Sequence, residues 1–253
     1  MEENHTKRKV LALTGEDTED FLQGIITNDV LKAKDELVYA ALLGPQGKFL
    51  FDFFVFTRQS RIFIDCHAIS ADALNKKLMM YRLRKNVEIT STNLSVTCGL
   101  GRPPKGAMND PRHRGMGWRY YGNILQTEEI DWTALRIRLG VPEIEKELLT
   151  ESYILEMRFE TLNGVNFNKG CYIGQEITAR MKHKGSLRKG LARAQLSKEV
   201  PLHTPITADG KDIGFVCSQS NGEALIYVRY ERVKETIYAA DARVTNVRLN
   251  FDE

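Results

Sequence analysis

The chain has 253 residues, enough for one large core or two smaller ones, and 42% hydrophobic with 27% charged residues excludes a disordered polymer. No apolar run approaches the roughly 20 residues that span a bilayer, and Met1 to His5 is acidic and polar rather than a signal peptide, so no membrane partner is expected. The net charge of +3 hides a division: Arg102 to Arg119 carries five cations against one acid and Phe167 to Arg193 seven against one, which leaves the remainder at −7 and points to a local site.

In chain order, Val10 to Leu13 predicts a short strand ended by Thr14-Gly15. Asp17 and Asp20 can cap a following helix that carries Phe21 and Leu22 inward, and Asn28-Asp29 then turns the chain. Leu37 to Leu43 and Lys48 to Phe56 are β-prone runs joined by a hairpin loop, Gly44-Pro45-Gln46-Gly47. The second run is apolar on both faces, Phe49, Phe51, Phe53 and Val55 on one and Leu50, Phe54 and Phe56 on the other, which predicts a central strand. Arg61 to Cys66 is the next strand. Ser70 can cap a helix with Leu74, Leu78 and Tyr81 at i, i+4 and i+7, and Val87 to Thr90 and Leu94 to Leu100 return to strand. The ordering predicts an α+β layer, ferredoxin-like, with helices on a mostly antiparallel sheet. Arg102 to Gly117, rich in Pro, Gly and Arg, reads as a surface loop, and Asp131 to Leu139 as a helix stopped by Gly140 and Pro142. From Leu187 onward, short β-prone pieces separated by Asp209-Gly210 and Asn221-Gly222 predict a small antiparallel β-barrel. The domains are therefore residues 1–185, an α+β region, and 186–253, the barrel.

The densest chemistry lies in Lys169-Gly170-Cys171-Tyr172-Ile173-Gly174-Gln175-Glu176. Gly170 and Gly174 free the backbone on either side of Cys171. From Gln175 to Met181 every residue is helix-compatible, so Cys171 is expected near a helix N-terminus, where amide N–H groups and Lys169 favour the thiolate. Local chemistry alone leaves open a buried structural thiol and a solvated basic face. The other cysteines, Cys66, Cys98 and Cys217, each sit in an apolar strand, and no C-x-x-C pair forms a zinc or iron–sulfur ligand set. Such scattered thiols fit a reducing compartment, and the expectation is a cytoplasmic protein.

The string from Lys169 to Glu176 resembles the signature K-G-C-[FY]-x-G-Q-E of the YgfZ family, folate-binding proteins of iron–sulfur cluster maturation related to the glycine-cleavage T-protein. Phe21-Leu22-Gln23-Gly24-Ile25-Ile26-Thr27-Asn28-Asp29 is similar to the family's opening F-L-Q-G-x-x-T-N-D. Tyr81 to Ile89 is similar to its Y-x-L-R-x-x-V-x-I, and Trp132 to Pro142 to its W-x-x-x-R-I-x-x-G-x-P. The resemblance implies a T-protein-like arrangement, in which α+β subdomains and the terminal barrel surround an opening for tetrahydrofolate. It implies Cys171, Lys169, Gln175 and Glu176 as the reactive group, and Trp132, with Arg180, Arg188 and Lys189, as folate contacts: the indole stacks on the pterin and the cations meet glutamyl carboxylates. Arg8 stands where some relatives have a second tryptophan, and Arg158 replaces an asparagine-like residue. The implied function is a tetrahydrofolate-binding accessory protein for assembly or repair of [4Fe–4S] proteins, its partners being folate and iron–sulfur client or carrier proteins, with transient cluster contact. The Cys171 motif is not part of the T-protein's pattern, which leaves folate-dependent aminomethyl transfer as the runner-up. An RNA-binding module comes third, since no RNP, KH or zinc-knuckle motif accompanies the basic segments.

Overall fold

Because Phe49 to Phe56 is apolar on both faces, it must be covered on both sides and on both edges, and the first sheet is organised around it. The computed structural model describes residues 8–251; the acidic stretch Met1 to His5 lies outside them. It divides into two units, one containing the chain up to Ile130 with Glu160–Ile177, the other Asp131–Phe159 with the chain from Thr178 onward.

In the first unit, β1 (Arg8–Thr14), β2 (Val38–Leu43), β3 (Phe49–Arg58), β4 (Arg61–His67) and β5 (Glu88–Ser91) form an antiparallel sheet in the order β2-β3-β4-β1-β5. With α1 (Thr18–Gln23) after β1 and α2 (Ala71–Arg82) after β4, strands β3, β4, β1 and β5 reproduce the expected ferredoxin-like order, and β2 is an added edge. Phe53 and Val55 share one core with Leu11, Leu13, Phe21, Leu22, Leu74 and Leu78, so both helices pack on that face. The opposite face is covered by a second sheet, β6 (Ser95–Gly99), β8 (Trp118–Gly122) and β7 (Met108–Asn109) in that order. Tyr121 of β8 stacks on Phe56 with ring centroids 4.1 Å apart.

Two expected caps are replaced by other bonds. Asp17 precedes α1 but its carboxylate accepts from the Asn86 amide, and Ser70 precedes α2 but its hydroxyl donates to the His67 carbonyl. The expected surface loop from Arg102 to Gly117 is also corrected. Its beginning is exposed, but Asp110 and Met116 are buried and the Arg112 side chain is nearly so. A charged segment goes inside when its charges are paired, and Arg112 makes two hydrogen bonds to the Asp110 carboxylate while lying 4.9 Å from the Phe54 ring centre.

In the second unit, α3 (Trp132–Leu139) is capped at its start by the Asp131 carboxylate, which accepts from the Ala134 amide. It ends at Gly140 in the left-handed region (φ 64°), as the sequence predicts. Arg158 donates to the carbonyls of Leu139 and Gly140, so this departure from the family pattern closes the helix's last turn. The barrel is closed by six strands: β9 (Lys189–Leu196), β10 (Pro205–Ala208), β11 (Lys211–Ser220), β12 (Glu223–Arg229), β13 (Ile237–Ala239) and β14 (Ala242–Arg248), in the order β10-β11-β12-β9-β14-β13. The β-prone pieces expected from Leu187 onward form this barrel, with Asp209-Gly210 between β10 and β11 and Asn221-Gly222 between β11 and β12; β13, three residues long, is too short to show alternation. Among the described residues no helix is long and apolar enough to cross a membrane.

Candidate functional site

The Cys171 loop is fixed from both sides while its thiol faces solvent. On one side the Lys169 ammonium donates to the carbonyls of Gln23, Ile26 and Asn28 at 2.7, 2.7 and 3.0 Å. Burial lowers its pKa to about 8, whereas the nearby Asp29 and the three carbonyl acceptors favour the charged form, which alone supplies three N–H donors. On the other side the Tyr172 ring is buried and Ile173 packs on the sheet core. The Gln175 side chain accepts from the Tyr172 amide at 3.3 Å, just ahead of α4 (Gln175–His183). Between these anchors Cys171 is exposed.

Two sequence words that look independent are one piece of structure. The Thr27 hydroxyl donates to the Gly164 carbonyl, the Asn28 amide group donates to the carbonyls of Tyr39 and Asn163, and the Asn166 amide donates back to Thr27. The Thr27-Asn28-Asp29 turn is therefore the seat of the strand of chain that leads into Lys169. The two motif glycines differ in role. Gly174 has φ 81°, and a Cβ there would lie 2.7 Å from the Gly44 carbonyl oxygen and 3.0 Å from the Gly47 Cα, so the loop touches the β2–β3 hairpin through bare backbone. A Cβ at Gly170 would meet nothing within 4 Å.

The remaining thiols are held back. Burial pushes Cys66 up to about 12 despite Arg8 nearby, and burial also raises Cys98 and, together with Glu147, Cys217. Glu176 and Arg180 are exposed on α4.

Of the expected folate contacts, Trp132 is half-buried at the first position of α3. Arg188 is exposed just before β9. Lys189 already has company: its ammonium is 3.8 Å from the Glu156 carboxylate and 5.3 Å from the Tyr227 ring centre, and the Tyr227 hydroxyl donates to the same carboxylate. Thus Cys171, Lys169, Gln175 and Glu176 belong to the first unit, while Trp132, Arg180, Arg188 and Lys189 belong to the second.

A charged cluster in the first unit escapes sequence reading. Asp65 is fully buried and is met by Arg8 at 2.7 Å, Arg119 at 3.1 Å and the Tyr121 hydroxyl at 3.0 Å. The Arg119 guanidinium lies 4.0 Å from the Phe54 ring centre. Asp110 feels burial, which pushes it up, but Arg112 and Arg119 together hold its carboxyl below the usual range. Asp52 goes the other way: burial raises it against the pull of Arg8 and Arg112, and it accepts from the Tyr39 hydroxyl at 3.1 Å. The only sequence signal is that Asp52 is the lone acid of β3, set within its apolar run Phe49 to Phe56.

Residues 188–250 match the family model described as the CAF17 C-terminal beta-barrel domain. Across most of its length the chain is similar to the human iron-sulfur cluster assembly factor IBA57, mitochondrial, at 29% identity over 96% of this chain and 81% of the relative. It is also similar to the mouse protein of that name, at 28% over 91% and 78%. An IBA57 homolog from Mycosarcoma maydis is 32% identical over 72% of this chain and 54% of its own length, so the chain spans only about half of that relative. These names overturn the cytoplasmic expectation, pointing instead to mitochondria; scattered thiols report a reducing environment and carry no address. Among solved structures, glycine cleavage system aminomethyltransferase T from Bartonella henselae superposes with a TM-score of 0.74 over 96% of this chain and 84% of its own, at 13% identity. That likeness establishes the architecture, an aminomethyltransferase-like α+β fold with a closed C-terminal barrel.

Proposed function

We propose that this protein is a tetrahydrofolate-binding accessory factor for assembly or repair of [4Fe–4S] proteins, and that Cys171 is its reactive thiol. The observation that carries the reading is the contrast among the cysteines: Cys171 is exposed on a loop pinned by Lys169 and Tyr172, whereas burial holds the other three in the thiol form. Similarity to proteins named iron-sulfur cluster assembly factors supplies the class of cargo. In this reading the cluster, or the client or carrier protein that brings it, meets Cys171, with Gln175 fixing the loop and Glu176 exposed in the first turn of α4.

Folate fits the chemistry of the donor set. Trp132 offers a half-exposed indole face, Arg180 and Arg188 offer exposed cations for glutamyl carboxylates, and Lys189 adds a charge it shares with Glu156. When bound, tetrahydrofolate supplies a one-carbon carrier. Truncating a stacked aromatic wall costs on the order of 1–3 kcal/mol, so Trp132→Ala is expected to weaken tetrahydrofolate by roughly tenfold to a hundredfold. Calorimetry under reducing conditions tests this, and wild-type protein that takes up no tetrahydrofolate contradicts the folate half of the proposal.

Aminomethyl transfer is the second reading, favoured by the likeness to an aminomethyltransferase. Turnover of an aminomethyl donor with tetrahydrofolate would establish it. The RNA reading loses much of its support, since Arg112 and Arg119, two of the cations in the first basic segment, face Asp110 and Asp65.

A further inference from the structure

Helix α2 carries two apolar stripes where a surface helix needs one. Ala71, Leu74 and Leu78 are buried against the sheet, yet Met79 and Met80 on the outward side are 49% and 60% exposed, and Leu83, at the helix end, is 83% exposed. Met80 lies one turn beyond Lys76 on the outward side and Leu83 follows directly on the last helical residue, so Met79, Met80 and Leu83 form an exposed apolar stripe at the C-terminal end of α2, beside which Lys76, Arg84 and Lys85 are also exposed.

The presentation of Leu83 is rigid. It has φ 52° and ψ −113°, a backbone conformation that a leucine adopts only where its surroundings impose it. The turn that carries it is held by Arg82, which donates to the Val87 carbonyl at 2.7 Å, and by Asn86, whose amide donates to the Asp17 carboxylate at 2.6 Å while its carbonyl accepts from the Asp17 amide. A strained, pinned backbone that ends in a large solvent-facing apolar side chain is the profile of a preorganised contact residue.

We propose that the outward face of α2, centred on Met80 and Leu83, is a docking surface for an acidic protein partner, one that brings an apolar patch ringed by carboxylates. Lys76, Arg84 and Lys85 border the apolar centre with more positive charge than is offset by Asp17, the carboxylate that shares the surface beside Leu83 and already accepts from the Asn86 amide; the excess repels a second copy of the same face and attracts carboxylates. Methionines adapt to varied apolar shapes. A polyanion such as RNA would leave the apolar centre without a use, and the absence of aromatic anchors at the stripe disfavours a lipid surface. This inference goes beyond the Cys171 reading and stands independently of it.

The test uses the full-length protein and a fluorescent amphipathic helical peptide with leucine on one face and glutamate on the other, beside a counterpart with lysine for glutamate. Anisotropy is expected to show binding of the acidic peptide alone, weakened by salt, and weakened about tenfold or more by Met80→Glu and by Lys76→Glu with Arg84→Glu. Leu83→Gly separates docking from folding: it relieves the positive φ, so it is expected to raise the melting temperature while weakening the peptide. The proposal is overturned if the acidic peptide does not bind, if both peptides bind equally, or if these variants bind as wild type does. It is also overturned if Met80→Glu instead disperses a wild-type dimer in sedimentation or releases the protein from phosphatidylglycerol vesicles.

Discussion

Lys169 and Cys171 lie two positions apart and do opposite things. Lys169 spends its ammonium on the carbonyls of Gln23, Ile26 and Asn28, so replacing it with methionine leaves three acceptors to be rehydrated or stranded. A loss of about 2–4 kcal/mol in stability is expected, read as a lower urea midpoint with unchanged slope. A midpoint within error of wild type would show that those carbonyls find water without cost. Cys171 contributes nothing comparable to packing and is the most exposed of the four thiols. At pH 7 a thiol with a pKa near 12, such as Cys66, has a thiolate fraction on the order of one in a hundred thousand. Timed alkylation of the native protein is therefore expected to label Cys171 well before Cys66, Cys98 or Cys217. Equal labelling rates across the four would remove the basis for assigning it the chemistry.

The elements around the site explain which parts of the motif are backbone requirements. Gly174 is compressed against the β2–β3 hairpin at positive φ, and Gly170 is open. Gly174→Ala is expected to cost about 2 kcal/mol or more, and Gly170→Ala to stay within about 0.5 kcal/mol of wild type. Paired thermal melts check the contrast, and equal effects would contradict it. Local patterns made much of this fold legible: the two-faced run at β3 announces a central strand, Asp131 and Gly140 bracket α3, and paired turn residues mark the barrel hairpins. What they could not carry is pairing across distance. Nothing near Arg112 in sequence says that Phe54 lies 4.9 Å away or that Arg119 and Arg8 share Asp65, so a buried ion network reads as a basic loop. Likewise the seating of Lys169 on the Thr27-Asn28-Asp29 turn joins residues more than 140 positions apart, as from Lys169 to Asn28, and only the folded chain brings them together.

For the whole molecule, the architecture is one on which an aminomethyltransferase is built, while the densest motif of this chain centres on an exposed cysteine. Fold alone does not choose between transfer chemistry and cluster maturation, because function resides in the site. The choice rests on whether one sulfur atom matters to iron–sulfur proteins. The direct measurement is the activity of [4Fe–4S] enzymes in cells lacking this protein, complemented with wild type or with Cys171→Ala. Because Cys171 is exposed, the variant is expected to melt within about 1 °C of wild type. Wild type is expected to restore those activities and the equally stable variant is not. Full restoration by Cys171→Ala would contradict that expectation.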